Sequence, residues 1–205
     1  FALRRFGDIA IEDGWKDATD PIAETTMGQS AEALAQKFGI GRAEQDAFAL
    51  QSHKKACRAI DEGWFDAELT PVKLAPRFDH GPISLFKDET PRPDSTLDKL
   101  GALPPVFSSS GTVTAGNSSA MADGAAALVF TRRDLAGSRN QRPLFQVVAY
   151  AQCAVAGRTM GEGPASSIPA VLKQAGMALC DMDLIEVNEA FASQMIANQR
   201  VLNWD

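Results

Sequence analysis

Apolar residues recur at helical spacing in the first third of the chain and predict two helices there. The first helix is expected to begin near Ser30, a residue type that often caps helices, and to stop at Gly39. Its apolar face comprises Ala31, Leu34, Ala35 and Phe38. The second helix is expected over residues 42–62, with Gly63 ending it. Its buried side is expected to comprise Ala43, Ala47, Leu50, Cys57 and Ile60.

Residues 64–95 show a different pattern, in which short apolar stretches alternate with proline. Two of these stretches, 69–74 and 83–86, are strand-like. The prolines around them predict a loop-rich insertion between better-packed parts of the chain. A short helix is expected next, over residues 96–102.

The second half of the chain alternates apolar runs with helical patterns. The run at residues 125–130 is predicted to be a strand buried on both faces, 145–151 a second buried strand, and 184–187 a third, short strand. The expected helices are a short one within 132–140 and longer ones over 165–175 and 190–202. This alternation favours parallel strands and the α/β class, with a candidate boundary at the polar linker 137–140. A further possible strand lies at residues 8–11.

Composition and charge exclude several classes of function. The chain has 205 residues, of which 45% are hydrophobic, and 20 basic against 26 acidic residues give a net charge of −6. Without a basic block or an apolar run of about 20 residues, neither a nucleic-acid partner nor a membrane span is expected. Cys57, Cys153 and Cys180 lack metal-ligand spacing, so free thiols and no metal site are expected. A reducing compartment, the cytoplasm or an organelle matrix, fits such thiols.

Three segments carry candidate chemistry. Residues 111–124 are dense in glycine and hydroxyl side chains, which suits either close approach of a ligand or a plain Gly/Ser turn. Residues 160–164 (MGEGP) precede a predicted helix and form either a phosphate-binding loop or a strand-to-helix turn. Asn188 follows a predicted strand, where its amide could face a developing oxyanion or simply cap the next helix.

Other polar residues carry weaker expectations. Ser52 and His53 are adjacent on the second helix and do not face each other, so His53 is expected to be a solvated helix residue. Glu44 and Asp46 are expected to be first-turn charges of the same helix rather than an acid/base pair.

Five segments, in this order and at this spacing, resemble the thiolase family. They are residues 27–32 (MGQSAE), 39–48 (GIGRAEQDAF), 111–124 (GTVTAGNSSAMADG), 160–164 (MGEGP) and 184–194 (LIEVNEAFASQ). Each motif alone has moderate specificity, whereas the ordered set is highly specific. The resemblance covers nearly the whole chain and is weakest over residues 1–20 and 74–90.

The resemblance implies an α/β fold of thiolase type, a layered αβαβα architecture of two similar halves that is incomplete here. Residues 1–131 would be the C-terminal part of the first half, with a loop insertion at about 20–120, and residues 143–205 would begin the second half. It also implies thiolytic cleavage of 3-ketoacyl-CoA by CoA, or the reverse Claisen condensation. CoA would be a substrate, no cofactor is expected, and the full-length protein would be a homodimer or homotetramer.

The same resemblance indicates site residues. Asn188 matches the asparagine that helps to hold the oxyanion-site water. The matches to substrate and CoA contacts are Ala115, Ser119 and Met121 along the pantetheine channel, Met160 and Phe191 near the thioester and acyl tail, and Met27, Arg92 and Phe107 around CoA.

The chain departs from the family pattern in the catalytic segments. The nucleophilic cysteine would lie before Phe1, and the histidine and second cysteine segments would lie after Asp205. We therefore expect an internal fragment that is inactive by itself; a non-catalytic acyl-CoA-binding or assembly module of the same fold is the alternative. Thr26 stands where many short-chain thiolases have histidine, which favours a degradative enzyme of fatty-acid β-oxidation.

Overall fold

The computed structural model describes residues 19–74 and 83–204. The α-helices in these stretches are α1 (Met27–Phe38), α2 (Arg42–Asp61), α3 (Leu97–Gly101), α4 (Arg133–Ser138), α5 (Gly163–Ala175) and α6 (Ala192–Leu202). The antiparallel strand pairs are β1 (Thr19–Asp20) with β2 (Thr25–Thr26) and β3 (Val72–Leu74) with β4 (Ile83–Leu85). Short 3₁₀ helices span Gly157–Glu162 and Leu179–Asp181. The possible strand at residues 8–11 lies outside the described residues.

Helix α1 begins three residues before the predicted start. Thr26 is its N-cap, because Thr26 Oγ1 accepts a hydrogen bond from Gln29 N (3.3 Å) while Thr26 N donates to Gln29 Oε1 (3.0 Å). This reciprocal pair satisfies backbone N–H groups that a helix start leaves unpaired, so the prediction of Ser30 as the cap is wrong. Ser30 is buried within the helix. The predicted stop is confirmed, since Gly39 adopts a φ of 61° and its N–H bonds to the last turn.

The bounds of α2 agree with the prediction to within one residue, and Gly63 follows with a φ of 69°. The predicted buried side is wrong in part, because Ala43 is exposed and Ala47, Leu50, Cys57 and Ile60 are only half-buried. The residues of α2 that are buried are Gln45, Asp46, Ala49 and Ala59. Two of these are polar because the inner face of α2 binds a loop from later in the chain, so apolar spacing alone misplaces that face.

The hydrophobic core lies where α1, α2 and α6 meet. Its buried cluster consists of Ala35, Ile40, Ile196 and Ala197, with Phe38 and Phe48 packed against it. Alanine at these contacts lets the helix backbones approach closely, and Ser193 Oγ of α6 donates to Ala31 O of α1 at 3.0 Å. This packing fixes the start of α6, and the residues just before it, against α1 and α2.

The elements predicted for the proline-rich segment are confirmed. Val72 of β3 lies opposite Leu85 of β4, and α3 is capped by Thr96, whose Oγ1 accepts a hydrogen bond from Lys99 N at 3.2 Å. The three later helices, α4 to α6, also lie within two residues of their predicted bounds. Among the described residues, none of the helices is both long and apolar enough to cross a membrane.

The prediction of three strands, two of them buried, is wrong. Residues 125–130, 145–151 and 184–187 belong to no sheet. Apolar side chains in and beside them are exposed, at 99% for Val129, 94% for Leu144 and 82% for Leu184. In the described part of the chain no strand runs beside these segments, so their backbone groups form no ladder and their apolar faces meet water.

Candidate active site

A cleft of about 990 Å³ opens between α2 and the loops at residues 88–95, 115–120 and 186–189. Four predicted site residues line it: Arg92, Ala115, Ser119 and Asn188. Ser52 and His53 of α2 form part of its wall. The geometry of this cleft depends on how each loop is held.

The glycine- and hydroxyl-rich loop is held first by a buried carboxylate. Glu32 of α1, only 6% exposed, accepts hydrogen bonds from Thr112 N (3.0 Å), Val113 N (2.9 Å) and Thr112 Oγ1 (3.2 Å). A Cβ at Gly111 would overlap this carboxylate, so the glycine is needed for close approach. The loop thus binds the Glu32 carboxylate, which requires a glycine at position 111 and explains the hydroxyl of Thr112.

The same loop is held a second time by α2. Asp46 accepts from Arg42 Nε (2.7 Å) and from Asn117 Nδ2 (3.0 Å), while Asn117 Oδ1 accepts from Thr114 N (2.8 Å). Asp46 is therefore a buried acceptor, and the expectation that it is a first-turn charge is wrong, since Glu44 is the acidic residue of that turn. Most polar groups of residues 111–118 bond within the protein, so within that stretch only Ala115 is exposed, whereas residues 119–124 are all exposed.

The segment that carries Asn188 is tied to this loop by its backbone. Ser119 N donates to Ala190 O, and Ala192 N donates to Asn117 O, both at 2.9 Å. Helix α6 begins at Ala192 with Phe191 as its N-cap, so the alternative interpretation of Asn188 as that cap is wrong. Asn188 is exposed at the cleft, and its side-chain amide makes no hydrogen bond to any described residue.

The segment at residues 160–164 has a structural role. Asn198 of α6 donates from Nδ2 to Gly161 O (2.7 Å) and accepts from Ala165 N (2.8 Å) at the start of α5. A Cβ at Gly161 would lie 2.6 Å from Leu34, which is fully buried. These contacts favour the turn over the phosphate-binding loop, because the backbone here packs against α1 and α6.

The remaining predicted site residues do not line the cleft. Phe107 and Phe191 pack edge to face with ring centroids 6.0 Å apart. Met27 begins α1 next to Gly28, where a Cβ would overlap the Phe107 ring. Phe191 also forms an isolated β-bridge with Ser118, which places this aromatic pair beside the cleft. Met121 and Met160 are both exposed, and they belong neither to the cleft lining nor to this aromatic pair.

His53 was expected to be a solvated helix residue, and its contact with the cleft was not predicted. Its ring is half-buried in the cleft wall, and Nδ1 accepts a hydrogen bond from Arg92 N at 3.3 Å. Burial and then the charge of Arg92 hold the pKa of His53 below its usual value, with Glu189 acting in the opposite direction. No local pattern could have indicated this contact, since 39 residues separate the two partners.

The ionisable groups of the cleft are mostly acidic. Its carboxylates are Asp88, Glu89, Asp94, Glu186 and Glu189. Lys99 is neutralised by Asp94 at 2.7 Å, whereas the Arg92 guanidinium forms neither a hydrogen bond nor an ion pair with any described residue. An anionic ligand would therefore find its counter-charge at Arg92. Over the same residues, no cluster of three potential metal ligands occurs.

Comparison with known proteins gives two family matches. Residues 4–134 match the model for the thiolase N-terminal domain, and residues 141–205 match that for the thiolase C-terminal domain. The human mitochondrial 3-ketoacyl-CoA thiolase is 42% identical over 206 residues, which cover 100% of this chain and 51% of the relative. The chain thus spans about half the length of the curated relatives it matches.

Solved structures agree with these matches. The acetyl-CoA acetyltransferase of Bacillus anthracis superposes with a TM-score of 0.91 at 39% identity, covering 98% of this chain and 51% of that structure. Human mitochondrial 3-ketoacyl-CoA thiolase in complex with CoA superposes with a TM-score of 0.84 at 40% identity, covering 98% and 51%. The expected partial α/β fold is therefore confirmed.

Proposed function

Because the chain belongs to the thiolase family, we propose that the protein to which it belongs is an acyl-CoA acyltransferase of thiolase type. It cleaves 3-ketoacyl-CoA with CoA, or runs the reverse Claisen condensation, and serves the degradation of fatty acids. CoA is a substrate, and no separate cofactor takes part. A homo-oligomer located in the cytoplasm or an organelle matrix remains part of the proposal.

The observation that carries the proposal is the position of Asn188. Backbone hydrogen bonds between residues 117–119 and 190–192 hold the segment beside it, while its own amide remains available at the cleft. An amide N–H, directly or through a water, stabilises the negative charge that develops on a thioester oxygen. The backbone beside Asn188 is thus held in place, and its amide is free to meet the oxyanion of acyl transfer.

The other candidate residues bind the substrate. Arg92 offers a guanidinium to the phosphates of CoA, and Ser119 and Ala115 line the same cleft where a pantetheine arm would lie. Met27, Phe107, Met121, Met160 and Phe191 stay predicted contacts of the CoA and acyl groups. Cys57, Cys153 and Cys180 do not line the cleft, so the covalent step is not assigned to a cysteine of these 205 residues.

The test is thiolysis of 3-ketoacyl-CoA esters of short and long chain by the protein at its natural length, with acetyl-CoA measured by mass spectrometry. Replacing Asn188 with Asp, which keeps the shape and loses the donor, should lower kcat about 10²- to 10³-fold with little change in KM. Gln174→Ala, which truncates an exposed amide of α5, is the matched control.

Different outcomes separate the alternatives. Unchanged turnover in Asn188→Asp would contradict the oxyanion role. Binding of acyl-CoA without any turnover by the natural protein would instead indicate a non-catalytic acyl-CoA-binding module. The 205-residue stretch expressed alone is proposed to be inactive in the same assay.

A further inference from the structure

The backbone of residues 91–93 donates one hydrogen bond to α2. Pro91 and Pro93 flank Arg92, and proline has no N–H, so Arg92 supplies the only backbone donor of these three residues. That N–H donates to His53 Nδ1 at 3.3 Å. The prolines restrict the backbone on both sides of Arg92. The direction of the Arg92 side chain therefore depends on the acceptor that His53 provides.

The neighbouring residue on α2 ties the opposite wall of the cleft. Ser52 Oγ donates to Glu189 Oε2 at 2.5 Å, and Glu189 is adjacent to Asn188. Consecutive helical residues point about 100° apart, so Ser52 and His53 reach different walls from one turn. One turn of α2 thus sets the span between Asn188 and Arg92.

We propose that His53 is a positioning residue for Arg92, and that its neutral ring holds the 91–93 segment in the position that binds an anionic ligand. The inference rests on the proposed function, in which Arg92 meets the phosphates of CoA. Nδ1 accepts a hydrogen bond only while it carries no proton. A proton on Nδ1 creates a donor facing the Arg92 N–H and adds positive charge beside the guanidinium, so the tie is lost.

The surroundings of His53 favour the neutral ring. Burial and the adjacent charge of Arg92 lower the pKa of His53, and Glu189 opposes them. Other charged groups lining the cleft are Asp88, Glu89, Asp94, Lys99 and Glu186. A histidine with a lowered pKa is neutral above the ordinary value of about 6.5. The tie is therefore present at neutral pH and is lost as the pH falls through the pKa of His53.

Calorimetric binding of CoA and of pantetheine, which lacks the phosphates and the nucleotide, tests this in the protein at its natural length. His53→Leu removes the acceptor, so its Kd for CoA should rise about five- to tenfold at pH near 8, with the Kd for pantetheine unchanged. His53→Asn places an acceptor oxygen near the position of Nδ1 and does not titrate. Its Kd for CoA should stay within about twofold of the wild type.

The pH profile separates positioning from a general structural role. Between about pH 8 and about pH 5, affinity for CoA should fall more steeply in the wild type than in His53→Asn, because only the wild type titrates at this position. Gln51→Ala, on the exposed side of the same turn, controls for changes to α2 itself. If His53→Leu fails to fold, the pH dependence of CoA affinity in His53→Asn and in the wild type still tests the positioning role.

Two results would overturn the inference. Wild-type affinity and pH profile in both variants, or an equal loss of CoA and pantetheine binding in His53→Leu, would exclude the positioning role and leave the proposed function intact. If the wild type bound neither CoA nor pantetheine, this inference and the proposed function would both be overturned.

Discussion

The loop at residues 111–119 and the apolar segments at 125–130 and 145–151 are close in sequence but differ in their surroundings. The loop is rich in polar groups and glycine, yet much of it is buried because Glu32, Gln45 and Asp46 provide hydrogen-bond partners. The apolar segments belong to no sheet and are exposed, and no described strand runs beside them. The two regions show that burial follows the availability of partners more closely than it follows local hydrophobicity.

The difference also locates the rigid part of the molecule. Buried polar groups that are paired favour one geometry, because each lost partner leaves a desolvated donor or acceptor. The cleft is built on that region, and its exposed residues are held by contacts on their inner side. The apolar segments contribute little to this geometry in the described residues.

The largest expected effect comes from removing the carboxylate at the centre of the polar region. Glu32→Ala leaves the N–H groups of Thr112 and Val113 buried without an acceptor, so it should lower the free energy of unfolding by about 3–5 kcal/mol. Urea unfolding of the 205-residue chain measures this. Glu44→Ala, which removes an exposed partner of Arg200 at 2.7 Å, should cost less than about 1 kcal/mol. If Glu32→Ala and Glu44→Ala lowered the free energy of unfolding equally, the buried polar region would not stabilise the fold more than an exposed ion pair does.

A smaller effect is expected from closing the space that Gly111 leaves open. Gly111→Ala brings a methyl group into the Glu32 carboxylate, so it should destabilise by about 2–3 kcal/mol. The matched control is Gly124→Ala, just before the exposed apolar segment 125–130, where no atom lies within 4 Å of the added methyl group. That change should be neutral or slightly stabilising, through the unfolded chain. Unfolding midpoints of the two variants give the comparison directly.

Helical spacing predicted the helices well because each depends on residues within a few positions. The bounds of α2 and the stop at Gly39 are local properties. The start of α1 was misplaced because two residue types that cap helices, Thr26 and Ser30, lie near one another, and only Thr26 has glutamine three positions later. The capping-box spacing was the available signal.

The candidate site could be predicted only in part. Its motif positions could be taken from the ordered resemblance, and four of them line one cleft. The roles of Glu32 and His53 depend on partners 80 and 39 residues away, which no spacing rule supplies. The prediction of the strands failed for a related reason. An apolar run indicates that a segment is suited to burial, but it does not indicate which other segment would cover it.

The smallest effect on stability is expected in the apolar region, and it sharpens the contrast with the core. Val129→Ser and Leu144→Ser replace side chains that are already exposed, so each should change the free energy of unfolding of the 205-residue chain by less than about 0.5 kcal/mol. Leu34→Ala, at a fully buried position, should cost about 2–5 kcal/mol in the same experiment. The serine variants should nevertheless reduce self-association and binding of a hydrophobic dye, because contiguous exposed apolar surface promotes both. Light scattering measures the first and dye fluorescence the second. A cost for Val129→Ser as large as that for Leu34→Ala would mean that these segments are covered in solution, and the difference between the two regions would then disappear.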